Sequence, residues 1–112
     1  MDEQELSWIY MTAGPPKEDR QIGRVLVEKK LAACVNLIEG MCSLYQWKGE
    51  IQEDRETVMI AKTRNELVEE LTRTVKSVHS YDCPCILELP VQGGNPEFLD
   101  WIRNETYSSS SR

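Results

Sequence analysis

The stretch VHSYDCPCILELPV, from Val78 to Val91, holds the only histidine of the chain, His79, together with Tyr81 and two of the four cysteines, Cys83 and Cys85. Imidazole and thiolate ligate soft and borderline metal ions, so H-x-x-x-C-x-C raises a metal site before anything else. In an extended segment residues i and i+2 point to one side, which lets both thiols face one ligand. Pro84 favours that extension, because proline disfavours helical geometry at the residue before it. Such a set suits Cu(I), or Zn(II) if a harder donor joins. A Cys83–Cys85 disulfide is disfavoured, since extended i and i+2 Cα atoms stand about 7 Å apart, at the upper limit for a bridge.

Structural readings of the same residues stay open. Cysteine at a strand entry fills space among apolar neighbours. Cys34 and Cys42, with no histidine nearby in sequence, read most simply that way. A histidine at a helix C-terminus is favoured by the dipole and by the last carbonyls without any ligand. Tyr81 reads equally as a hydrogen-bonded wall of a subunit contact. Nothing points to catalysis: there is no nucleophile elbow, no phosphate-binding glycine loop and no dinucleotide fingerprint. The acidic run EIQEDRE, Glu50 to Glu56, offers paired carboxylates or a hard-cation site, and reads more simply as the solvent side of a hairpin.

The elements that must position these residues follow from periodicity. ELSWIYMTA is β-rich and stops at the breaker GPP, a strand ending near Ala13. Proline and acidic residues then open a helix with Ile22, Val25 and Leu26 at helical spacing, closing at Lys29-Lys30. AACVNLIEGMCSLYQW is a long strand with Ala33, Val35 and Leu37 on one face and Cys34, Asn36 and Ile38 on the other. Gly40 marks a bulge or a bend in it, Lys48-Gly49 a hairpin tip, and EIQEDRETVMIAKTR the returning strand. Asn65 is placed as the cap of a helix through Leu67, Val68, Leu71, Val75 and Val78, ending near His79. CILELPV is a short strand, and GGNPEFLDWIRNE a last helix with Phe98, Leu99 and Ile102 on one stripe. The fold class is therefore α+β: a ferredoxin-like βαββαβ sandwich with a long β2–β3 hairpin and an additional C-terminal helix. All 112 residues form one domain, with residues 108–112 of the tail TYSSSSR expected to fray.

With 40% hydrophobic and 29% charged residues, the composition is that of a globular domain rather than a disordered chain. A formal charge of −6 repels phosphate backbones and anionic lipid, so neither nucleic acid nor membrane is expected as a partner. The N-terminus has no basic start or cleavage site of a secretory signal, which points to the cytoplasm and to reduced thiols.

LVEKKLAACVNLI, SLYQWKGEI, IAKTR, VHSYDCPCILELPV and FLDWI, in this order across nearly the whole chain, resemble the CutA family, named for divalent-cation tolerance. The resemblance implies a compact non-enzymatic homotrimer, similar in architecture to PII signalling proteins, with the hairpin of Cys34 to Lys62 reaching neighbouring subunits. That explains the aromatic Tyr45 and Trp47 on a projecting hairpin. It also implies copper or other divalent metal handling around the H-x-Y histidine and the end of the first strand, here His79 and Met11; with the thiols of Cys83 and Cys85, which stand where the family more often has valine or threonine and glutamate, these are the candidate ligands. The chain departs from copper-linked members at Met11, where cysteine is frequent, and at Val78, where some carry a second histidine. An alternative is a PII-like signalling or assembly module that accepts a small anion or a partner protein at inter-subunit clefts near His79, Tyr81 and Lys62.

Overall fold

Alternate burial along the first strand decides the architecture. In the computed structural model, which describes residues 5–107, β1 (Leu6–Ala13) buries Ile9, Met11 and Ala13 on one face and turns Trp8 and Tyr10 to the other. The buried face meets α1 (Glu18–Glu28) and α2 (Val68–Val78). Ile22 and Leu26 of α1 and Leu71 and Val75 of α2 pack with Ile9, Met11, Met59 and Ala61 in one core cluster. Truncating any of the large members to alanine leaves a cavity costing about 2–5 kcal/mol.

The sheet runs β2 (Cys34–Trp47), β3 (Glu50–Arg64), β1, β4 (Ile86–Pro90), with every neighbouring pair antiparallel. This is the split βαβ order of a ferredoxin-like fold, in agreement with the sequence reading. α3 (Pro96–Asn104) has the expected cap, Asn95 accepting from the Glu97 N–H at 3.1 Å, and Pro96 in its first turn. Arg64 fastens the end of α3 by donating to the Arg103 carbonyl at 2.6 Å. Among the described residues no helix is long and apolar enough to cross a membrane. The expected fraying of residues 108–112 lies outside the described residues.

Two local features differ from the reading or sharpen it. Asn65 does not cap α2: it opens a 3-10 turn, Asn65–Leu67, that precedes the helix, and its N–H donates to the Glu5 carbonyl at 2.7 Å. The last extended residue is Arg64, with φ −79° and ψ 143°, so Asn65 already lies inside the helical turn instead of flanking it. Gly40 does carry a bulge: the pair Ile38–Val58 is followed by Met41–Glu56, so β2 spends one residue more than β3 there. Its φ of 83° is in the left-handed region that favours glycine.

β1 pairs with β3 only as far as Ala13–Thr57, while β2 and β3 continue to Trp47–Glu50. The far half of the hairpin is thus a two-stranded arm, closed at Lys48 and Gly49, both with positive φ. Isolated two-stranded ribbons are marginal in water. The arm nonetheless exposes Leu44, Tyr45, Trp47 and Ile51.

Candidate functional site

The face of the sheet away from α1 and α2 holds a groove of about 560 Å³, walled by Tyr10 and Thr12 of β1, the arm and the 81–85 loop. Strand parity puts Ser43, Tyr45 and Trp47 of β2 on this face with Asp54 and Glu56 of β3. Glu56 is held from two sides: Oε1 accepts from Ser43 Oγ at 2.6 Å and Oε2 accepts from the Tyr81 hydroxyl at 2.9 Å. Tyr45 donates to Asp54. Half of the acidic run is therefore built into the groove rather than simply solvated. Sequence reasoning missed Asp54, Glu56 and Ser43; their period of two was visible, but the hydroxyl partners come from β2 and from a loop 25 residues away.

Hydrogen bonding and burial set the chemistry of these groups. Burial, reinforced by the Glu56 carboxylate that accepts its hydrogen bond, holds the Tyr81 phenol far above its usual range. Burial and the Glu56 charge also push the Cys85 thiol up. Tyr45 is raised chiefly because its proton is shared with Asp54.

The structure separates the four candidate ligands of the sequence reading. Cys83 and Cys85 both line the groove. Met11 is 1% exposed and lies on the opposite, helix-covered face. The His79 side chain is also 1% exposed. Its Nε2 lies 2.8 Å from the Thr12 carbonyl oxygen and its Nδ1 accepts the Tyr81 N–H at 3.0 Å, so both ring nitrogens are used in shaping the loop. Glu18 of α1 ties down the next residue, accepting from Ser80 N at 2.6 Å and from Ser80 Oγ at 3.1 Å. Among the described residues no group of three or more His, Cys, Asp and Glu side chains is arranged to hold a metal ion. Cys34 and Cys42 lie elsewhere, Cys34 beside Lys62 and Cys42 beside Glu53. Lys62 is opposite Trp8 and lines a second groove, apart from the one that Tyr81 lines.

Fold and site together define a ferredoxin-like α+β subunit whose uncovered sheet face is aromatic and acidic. The model of the CutA1 divalent ion tolerance protein family matches residues 7–105, and the chain belongs to that family. It is 45% identical over 106 residues to Protein CutA of Mus musculus, covering 95% of this chain and 60% of that protein. The chain thus spans about three fifths of the length of this mammalian relative. It is 44% identical over 98 residues to the divalent-cation tolerance protein CutA of Thermus thermophilus, covering 88% and 95% respectively. The crystal structure of CutA1 from Oryza sativa superposes with a TM-score of 0.90 at 38% identity, covering 96% of this chain and all of the other. None of these relatives bears the name of an enzyme.

Proposed function

We propose that the protein is a non-enzymatic homotrimer that serves divalent-cation tolerance by binding a soft metal, copper in its cuprous state before others, through Cys83 and Cys85. The observation carrying this reading is that both thiols line one open groove. A thiolate pair selects soft ions, whereas hard divalent ions demand an oxygen cage that the described residues of one subunit do not supply. In this reading His79 shapes the loop, and Met11 belongs to the core. The uncovered apolar face and the exposed arm support assembly. The compartment we assign is the cytoplasm, which keeps all four cysteines as thiols.

Titration of Cu(I) into the reduced protein against a competing chelator tests the metal site. About one ion per protomer is expected, and none in a Cys83→Ser, Cys85→Ser double variant. Failure of the parent protein to compete with a weak chelator removes the metal role. Sedimentation at several concentrations tests the assembly, with three times the protomer mass expected.

A further inference from the structure

Cys34 and Lys62 face each other directly across the β2–β3 pair. Opposed residues of paired strands point to the same side of the sheet, within reach of one another. The Lys62 amine lies 3.7 Å from Cys34 Sγ and is steadied by a second bond to Asn36 Oδ1, further along the same face of β2. The backbone is fixed on either side of the pair: the Ala33 N–H donates to the Lys62 carbonyl at 2.9 Å, and Thr63 Oγ1 donates to the Leu31 carbonyl at 2.6 Å. Among the described residues no carboxylate forms an ion pair with Lys62. Cys34 is a free thiol, half-buried on the edge strand of the sheet. Cys42, by contrast, has the Glu53 carboxylate beside it.

We infer that Cys34 and Lys62 form a redox-sensitive modification site, at which hydrogen peroxide joins the two side chains through a sulfur–nitrogen bond. In the first step Cys34 Sγ attacks one oxygen of the peroxide. The O–O bond breaks, sulfur is oxidised by two electrons, and the thiol proton leaves with the second oxygen as water. The sulfenic acid so formed is the rung of cysteine oxidation that condenses with a nearby nitrogen. Lys62, having given its ammonium proton to solvent, attacks Sγ with its lone pair. The S–N bond forms as the S–O bond breaks, and the departing hydroxide takes an amine proton to leave as a second water. Thiol, neutral amine and peroxide thus yield a sulfenamide and two waters. Added thiol reverses the link by attacking sulfur and returning the amine.

Placement favours the amine over any other partner in the chain. The flexible lysine stem closes the remaining gap without moving either strand. Cys42 lies eight residues along β2, about 26 Å at strand rise, too far for a disulfide. Cys83 and Cys85 lead into β4, three strand spacings or about 14 Å across the sheet from β2. The bond removes the charge that Lys62 brings to the second groove and staples the edge strand to β3. It uses neither thiol of the proposed metal site, so the two readings stand or fall separately.

Mild hydrogen peroxide treatment of the reduced protein, followed by proteolysis without reductant and mass spectrometry, tests this directly. The expected product joins the peptides of Cys34 and Lys62, is lighter than their sum by two hydrogen atoms, comes from a chain that still runs at protomer mass under denaturing conditions, and is separated by dithiothreitol. Labelling of Lys62 by an amine-directed ester should fall in step with the linked fraction and recover on reduction. Neither change is expected in Cys34→Ser, nor in Lys62→Arg, whose guanidinium keeps the charge but is not deprotonated in proteins. The link is read in the parent protein, so the folding of either variant does not decide the outcome. A Cys34 that peroxide leaves unchanged, or that proceeds to sulfinic acid while Lys62 stays fully labelled, overturns the inference. A joined pair heavier by one oxygen atom overturns the direct S–N bond.

Discussion

Nε2 of His79 donates to the carbonyl oxygen of Thr12 at 2.8 Å, tying the end of α2 to the middle sheet strand. With Nδ1 accepting the Tyr81 N–H, the ring is the neutral Nε2–H form and has no lone pair left for a metal. Two segments far apart in sequence are joined by one buried ring. The loop that presents Tyr81 and Cys83 to the groove depends on it.

Replacing His79 by alanine is therefore expected to lower stability by about 1–3 kcal/mol, because the Tyr81 N–H and the Thr12 carbonyl lose their partner. Denaturant unfolding measures this. Stoichiometric Cu(I) binding should survive in the folded fraction; its complete loss would restore His79 as a ligand.

Gly14 lies directly under the Tyr81 hydroxyl, and a Cβ built there collides with that oxygen. Gly14→Ala should cost about 1–3 kcal/mol by overpacking. In a Tyr81→Phe background the oxygen is gone, so the same substitution should cost markedly less. Equal penalties in both backgrounds, read from thermal melts, would show that the strain has another source.

Tyr81 also sets an alkaline limit. Its phenol is raised in the folded state by burial and by Glu56, so the folded protein holds the proton after the unfolded chain, with a value of about 10, has lost it. The stabilisation is complete below about pH 10 and disappears as pH climbs through the folded value. Stability curves should fall above pH 10 in the parent and fall less in Tyr81→Phe.

In the proposed metal role, an ion bound by Cys85 displaces a proton that burial and Glu56 help retain. Apparent Cu(I) affinity should rise with pH, by about tenfold per unit for each thiol proton released. Glu56→Gln removes the repelling charge and should speed alkylation of Cys85 at fixed pH. A rate unchanged by that substitution would leave burial as the sole cause.

At Gly40, a Cβ meets nothing within 4 Å, but the φ of 83° is costly for an L residue. Gly40→Ala should lose about 1 kcal/mol without disturbing the β2–β3 register. Amide exchange protection across Met41–Glu56 reports the register.

Local pattern determined much of this protein. Period two in ELSWIYMTA, helical spacing from Leu67 to Val78, the Lys48-Gly49 tip and the Asn95-Pro96 helix start are short-range effects of sterics and side-chain direction, and each is legible in a single sequence. From them follow the ferredoxin-like order and the bulge at Gly40. Tertiary structure alone decided which face each candidate residue serves. Met11 pairs with Ile86, the residue that follows Cys85, yet Met11 goes to the core and Cys85 to the groove. His79 looked like a ligand because its type permits ligation; Tyr81 is two residues away, but its other partner, Thr12, becomes a neighbour only when α2 docks on β1. Glu56 looked like solvated charge, since neither Ser43 nor Tyr81 lies within helical or strand reach of it along the chain. Hydrogen bonds across such separations depend on where whole elements pack, and local composition carries no record of that.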